Sequence, residues 1–472
     1  MNRVARILSC AFTLAILAMP SSFAQIKLLA VGTLDQTQAG PYTDLSGLTY
    51  TLENGVAANY LGGMGSAITY AGNNTFLALP DRGPNAVSFD SNVDDTVSYV
   101  NRFHTVQMTL KRNTTGSGYP YLLKPSMSAT TLLWTADALV YGAGDSTVGS
   151  GVPQINTSQK HYFTGRSDNF DPAQNSGNPL DARFDTEGIR LSSDGRRVYI
   201  SDEYGPYVYE FDRFSGKRLR AFGFPPCDGV SPSCFFVSNL SSMGSVEISG
   251  NTVGRTANKG MEGLAITPDG TTLVGIMQNA LIQDSAEGGS AKNLLRIVTF
   301  DIASGAATHQ YAYLLTTGSG VSEILAINDH EFLVDERDGH GRADASKAKV
   351  KQLFKIDLTN AVDVSNMDGL TAAANAVSKT LFLDLVQLLT KNGIGASEIP
   401  AKVEGIAFGA DVTQGKTTLH TLWIANDNDF LATVQDANGN NVANPNQYFV
   451  VGFTDSELGG SKFVPQVIKP AL

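Results

Sequence analysis

Short runs of alternating apolar and polar residues recur along most of this chain, and they come in pairs joined by turn residues. One pair reads Glu187-Gly-Ile-Arg-Leu-Ser-Ser-Asp-Gly-Arg-Arg-Val-Tyr-Ile-Ser-Asp202-Glu203. A second reads Glu262-Gly-Leu-Ala-Ile-Thr-Pro-Asp-Gly-Thr-Thr-Leu-Val-Gly-Ile-Met-Gln278-Asn279. A third, without the glycine, runs Glu323-Ile-Leu-Ala-Ile-Asn-Asp-His-Glu-Phe-Leu-Val-Asp335-Glu336-Arg337. A fourth opens with Glu404-Gly-Ile-Ala-Phe-Gly and closes with Leu422-Trp-Ile-Ala-Asn-Asp427-Asn428-Asp429. A fifth, more diverged, combines Ser46-Gly-Leu-Thr-Tyr with Phe76-Leu-Ala-Leu-Pro-Asp81-Arg82-Gly. Apolar runs with period two around Asp-Gly or Asn-Asp predict β-hairpins.

Residues equidistant from a turn face one another in an antiparallel pair. Glu187 is therefore expected opposite Asp202, and Glu323 opposite Val334, so each hairpin carries its polar ends on one side. Further strand-like runs follow the hairpins: Val208-Tyr-Glu-Phe-Asp, Leu295-Arg-Ile-Val-Thr-Phe-Asp and Gln352-Leu-Phe-Lys-Ile-Asp. Four-stranded units repeated in this way predict an all-β fold, a β-propeller of six or seven four-stranded blades around a channel. Residues 378–392 place Leu381, Leu385, Leu388 and Leu389 on one helical face, which predicts a short peripheral helix. The segment 84–182 reads as rich in insertions, and no linker divides residues 25–472 into two domains.

Composition sharpens the picture at the N-terminus and in the charge. Arg3 and Arg6, the apolar run Ile7–Met19, and Ser22 and Ala24 before Gln25 have the form of a cleaved signal peptide over residues 1–24. Export to the periplasm or the medium is the expected consequence. No later apolar run is long enough to cross a bilayer as a helix. The chain holds 34 basic and 45 acidic residues, a net charge of −11. Such an acidic balance argues against nucleic acid and anionic membranes as partners and suits divalent cations. The expected partner is a small-molecule substrate, met by a monomer. In an oxidising compartment Cys227 and Cys234 are expected to close a short loop as a disulfide.

The chemistry follows from carboxylates and amides gathered on one rim. Glu187, Asp202, Glu203, Glu262, Asn279, Glu323, Glu404, Asp427 and Asp429 supply the oxygen ligands a calcium ion takes in numbers of six to eight. Glu187, Glu262, Glu404 and Glu336 are the candidate catalytic carboxylates. Arg82, Lys259 and Arg337 lie in the same motifs and suit a substrate phosphate. Metal-assisted hydrolysis needs no protein nucleophile. Neither Gly-x-Ser-x-Gly nor His-Glu-x-x-His occurs, and the six histidines are scattered. Asp194, Asp269 and Asp329 sit in the opposite turns and read as structural.

Several motifs together resemble the bacterial phytase-like family. They are Asp185-Thr-Glu-Gly-Ile with Ile200-Ser-Asp-Glu-Tyr-Gly-Pro206, and Asn258-Lys-Gly-Met-Glu-Gly-Leu-Ala with Gln278-Asn279. Val334-Asp-Glu-Arg-Asp-Gly339, Lys402-Val-Glu-Gly-Ile-Ala and Ala425-Asn-Asp-Asn-Asp429 follow in order. The resemblance implies hydrolysis of phosphate esters such as phytate, with calcium as cofactor. Two other readings stay open: a calcium-dependent lactonase or carboxylesterase of gluconolactonase type, and a non-catalytic ligand-binding propeller. On the cysteines the expectation is direct. Peptide mapping of the exported protein by mass spectrometry should find Cys227 joined to Cys234, and alkylatable thiols at both would contradict it.

Overall fold

Residues 26–34, 42–86, 96–141, 149–166, 178–224 and 250–469 are described by a computed structural model. The Cys227–Cys234 pair and the N-terminal leader lie outside them. The repeated hairpins become the inner halves of five four-stranded antiparallel sheets. Blade 1 runs outward from the axis as Ala67–Tyr70, Thr75–Leu79, Arg102–Arg112 and Tyr121–Leu132. Blade 2 is Thr186–Leu191, Arg197–Asp202, Val208–Asp212 and Arg218–Phe222. Blade 3 is Met261–Ile266, Thr272–Met277, Leu294–Asp301 and Ala307–Leu314, and blade 4 Gly320–Ala326, Glu331–Arg337, Lys351–Asp357 and Lys379–Asp384. Blade 5 is Val403–Gln414, Thr417–Asn426 and Asn446–Phe453, completed on its outer edge by the N-terminal strand Lys27–Leu34.

Each innermost strand packs against the next, and blade 5 returns to blade 1, so the ring is closed. It has five blades, not six or seven. The repeat itself has five copies, and the long intervals between copies are taken up by loops and outer strands. In the insertion-rich segment, for example, Arg102–Arg112 and Tyr121–Leu132 are the outer strands of blade 1. The inner strand of blade 1 is Ala67–Tyr70, while Ser46–Tyr50 lies outside the sheet. The peripheral helix is Leu385–Lys391, with Leu385, Leu388 and Leu389 buried. Leu381 belongs instead to the outer strand of blade 4 and is exposed. Asp384 caps the helix by accepting a hydrogen bond of 2.8 Å from the Gln387 amide.

The Glu-Gly heads owe their form to a bulge. Thr186 pairs with Asp202 and Ile189 with Ile200, which leaves Glu187 and Gly188 opposite a single residue. The same shift follows Met261, Val321 and Val403. Glu187 therefore does not face Asp202, and Glu323 faces Asp335 instead of Val334. The glycine is needed because neighbouring inner strands meet there. A Cβ on Gly188 would lie 2.6 Å from Leu264 Cβ, one on Gly263 2.8 Å from Glu323 Cα, and one on Gly405 2.9 Å from Gly65 O.

Below this level the channel holds a buried arginine. Arg190 points across it, donating to Ile68 O at 3.1 Å and Ile324 O at 2.9 Å, and its guanidinium lies 2.9 Å from Glu323. At the far end residues 464–469 cross the channel mouth as a strap. Val464 N bonds Ile327 O, Gln466 Nε2 bonds Leu191 O, and Lys469 N bonds Ser193 O. Asp194 and Asp269 hold the turns there by accepting from Arg196 N and Thr271 N, each at 3.0 Å.

The contact at Gly263 yields a prediction. A methyl group there meets backbone, which cannot swing away, so Gly263→Ala should cost about 2 kcal/mol or more. Denaturant unfolding measures this, and a change within about 0.5 kcal/mol would contradict the close approach.

Candidate functional site

The five inner hairpins, bulged in blades 2 to 5, build the rim from two rings of five positions. The head of each inner strand supplies Ser66, Glu187, Glu262, Ser322 and Glu404. The far end of each second strand supplies Asp81, Glu203, Gln278, Arg337 and Asp427, with Arg337 still paired to Gly320 and the other four beyond the paired part. Blade 4 thus contributes a hydroxyl and a guanidinium where blade 2 contributes two carboxylates. Arg337 Nε donates to Ser322 Oγ at 2.8 Å, and its Nη2 reaches Glu404. The other four blades hold the acidic arc.

Within that arc the carboxylates fall into three overlapping groups whose oxygens lie within 4.8 Å of one another. These are Glu187, Glu203 and Glu262; Asp81, Asp185 and Glu187; and Asp81, Asp427 and Asp429. The third group already encloses a cation of the protein itself. Lys402 Nζ stands 2.6 Å from Asp429, 2.8 Å from Asp427 and 3.7 Å from Asp81. Burial works against the ammonium, but these carboxylates outweigh it and raise its pKa. In the second group Arg82 pairs with Asp185 at 2.8 Å. Of the facing Asp81 and Asp185, Asp185 is pushed up by burial and by its acidic neighbours. Asp81 is held low because Arg82 and Lys402 outweigh its burial.

The first group is the least compensated. Glu187 accepts from Ser66 Oγ and Glu262 from Gln278 Nε2, each at 2.7 Å, and both donors are neutral. Glu203 Oε1 is buried and accepts no hydrogen bond in the described structure, and the Lys259 ammonium 3.6 Å away is beyond hydrogen-bond reach. Burial, then the neighbouring carboxylates, raise Glu187 and Glu262 well above the usual range.

The expected residues divide along this geometry. Glu187, Glu203, Glu262, Asp427 and Asp429 come together, and Glu404 borders them, tied to Arg337. Arg82, Lys259 and Arg337 all stand at the rim in contact with its acids. Four others sit one residue out of step, which on a strand turns the side chain to another face. Asp202 is buried and accepts from the amides of Asp185 and Tyr204, each at 3.0 Å. Glu336 points between blades, bonded by Tyr313, Thr316 N and Lys379. Glu323 lies in the channel with Arg190. Asn279 is exposed, and the preceding Gln278 reaches Glu262. Asp81, Asp185 and Lys402 were not among the expected site residues. Asp185 and Lys402 each stand two residues before a head glutamate, hence on its side of the strand.

A family model described as phytase-like, esterase-like activity of phytase, matches residues 59–430. An uncharacterized secreted protein of Arthroderma benhamiae is 30% identical over 188 residues. That match spans 34% of this chain and 35% of the relative, so about a third of the relative's length is covered. A putative 6-phosphogluconolactonase from Bacteroides uniformis is 12% identical, with 89% of this chain and 98% of its own aligned at a TM-score of 0.32. A luciferin-regenerating enzyme is 11% identical, with 91% and 100% aligned at 0.29.

The buried acids set a pH dependence. Burial raises both Asp202 and Glu323 to about 7, the latter against the pull of Arg190. An acid raised above its unfolded value of about 4 contributes stability that is complete below that value and lost as pH climbs through about 7. With a chelator present, Tm should therefore fall as pH rises from 5 to 8. A Tm that is flat or rises over that range would contradict the description of these groups.

Proposed function

This chain belongs to the phytase-like family, and from that membership and the rim geometry we propose that it is an exported, cation-dependent hydrolase of phosphate esters. The observation that carries the reading is the group Glu187, Glu203 and Glu262. It holds three carboxylates, two neutral hydrogen-bond donors and a buried carboxylate oxygen, Glu203 Oε1, that accepts no hydrogen bond. Apposed buried carboxylates repel unless protons or cations neutralise them, and an all-oxygen donor set of this kind fits a hard divalent cation such as calcium. The group of Asp81, Asp185 and Glu187 offers a second such set, with Asp185 Oδ1 also lacking a donor in the described structure. The group around Lys402 is a poor candidate, because the ammonium already occupies it.

A bound divalent cation supplies polarisation of a phosphoryl oxygen and acidification of water. The protein's own groups do the rest. Lys259, partly exposed beside Glu203, is placed to meet a substrate phosphate. Arg337 holds Glu404 and keeps the fourth side of the rim positive. Where no cation occupies the second set, Asp185, raised by burial and its acidic neighbours, would serve as proton donor to a departing alkoxide.

The test combines chelation with charge deletion. Calcium should raise Tm over the chelated protein, by about 2.7 kcal/mol of added stability at one hundred times the dissociation constant. Glu187→Gln and Glu262→Gln keep shape while removing a charge. Each should lower calcium affinity and phosphomonoesterase kcat together, by about tenfold or more. Lactone hydrolysis without phosphatase activity would favour the lactonase reading. Unchanged affinity and turnover in both variants would refute the site.

A further inference from the structure

A cavity of about 500 Å³ opens directly beside the carboxylate groups, between blades 1 and 5. One end is formed by Asp81, Arg82, Lys402 and Asp429. Its other walls are Val56, Tyr60, Pro84, Phe430 and Leu431, with the amides of Asn54 and Asn85. The backbone bends sharply to make this wall. Asp429 and Phe430 both have positive φ, 52° and 57°, a conformation uncommon for aspartate and an outlier for a residue as bulky as phenylalanine. The bend turns Asp429 onto Lys402 and seats the Phe430 ring against Gly62 and Gly63, where any Cβ would strike it at 2.7 or 2.6 Å. Tyr60 Oη locks the turn by donating to Phe430 O at 2.8 Å.

The distribution of charge inside the cavity identifies its ligand. Every charged group lies at the end next to the carboxylate arc, and both cations there are engaged. Arg82 is held by Asp185, and Lys402 by Asp427 and Asp429. Among the described residues the remaining wall is uncharged and largely apolar. A polyanion extending away from the reacting phosphate would meet carboxylates at one end and hydrocarbon at the other, with no charge to repay its desolvation. A neutral, apolar group gains by entering.

We propose that this cavity receives the alcohol part of the substrate, and that the substrate class is a phosphomonoester of a neutral, mainly apolar alcohol, not a polyanionic inositol phosphate. The inference rests on the phosphoesterase reading above. In the reaction, water oxygen forms a new bond to phosphorus, the bond from phosphorus to the alcohol oxygen breaks, and that oxygen takes up the proton. Phosphate and a free alcohol leave.

The experiment uses the full exported protein in calcium, with 1-naphthyl phosphate and phytate as substrates and 1-naphthylmethylphosphonate as a ligand that cannot be hydrolysed. Leu431 is half exposed on the cavity wall, so Leu431→Glu should fold. The native protein is expected to prefer 1-naphthyl phosphate over phytate by tenfold or more in kcat/KM. Leu431→Glu should lower that preference by about tenfold, chiefly through KM, and weaken phosphonate binding in calorimetry equally. It should leave the calcium-induced rise in Tm unchanged. Preference for phytate, or phosphonate binding that is absent or indifferent to Leu431→Glu, overturns the proposal. Phosphonate binding that is weakened by the variant, in a protein that hydrolyses neither ester, would sustain the cavity and refute the phosphoesterase reading.

Discussion

Neighbouring inner strands approach one another closely where they meet at the rim, and the display of side chains there depends on that approach. A five-bladed ring is narrow, and at Gly188, Gly263 and Gly405 a Cβ would fall within 2.6–2.9 Å of atoms of the next blade. The bulge at each head places the residue before the glycine on the rim, so the same constraint that removes one side chain presents the next. Steric exclusion and display of carboxylates are therefore two results of one backbone shape. Blade 4 keeps the bulge but carries Ser322 and Glu323 at these two places. Its carboxylate consequently lies down the channel, where Arg190 meets it.

That displacement makes the rim lopsided. Four blades contribute acids, and blade 4 contributes Arg337, whose two hydrogen bonds tie Ser322 to Glu404. The acids nearest blade 5 are balanced by Lys402, and those nearest blade 2 by Arg82. On the arc between Arg82 and Arg337 stand the glutamates of blades 2 and 3, with only neutral donors on Glu187 and Glu262. On the proposed function, an exogenous cation would complete an alternation of charge that the side chains have begun. The rim has the symmetry of the fold but not of the chemistry.

Much of the architecture was legible from local sequence. The Asp-Gly turns marked the hairpins, and the repeated Glu-Gly placed the inner strands of blades 2, 3 and 5. The blade count was not, because loops of unequal length hide how many repeats close a ring. Of the residues expected at the rim, most stand there and four fall one position away. Asp202, Asn279, Glu323 and Glu336 each adjoin a rim position without occupying one, because a bulge changes which residue faces the axis and leaves no mark in an apolar pattern. Ser66 and Ser322 escaped because they are heads without a carboxylate. In blade 1 the Ser46-Gly-Leu-Thr-Tyr motif drew attention from the actual inner strand, Ala67–Tyr70.

The strand Lys27–Leu34 that finishes blade 5 has a bearing on how the molecule assembles. Its partners are Asn446–Gly452, more than four hundred positions away along the chain. A ribosome has released this strand long before its neighbour exists. Loop closure over that distance is entropically costly and slow to find. Until then the strand has no partner to pair with, and unpaired strands are prone to intermolecular pairing. Timing thus becomes a property of the topology: a polypeptide with this connectivity closes its ring only after two strands more than four hundred positions apart have both emerged.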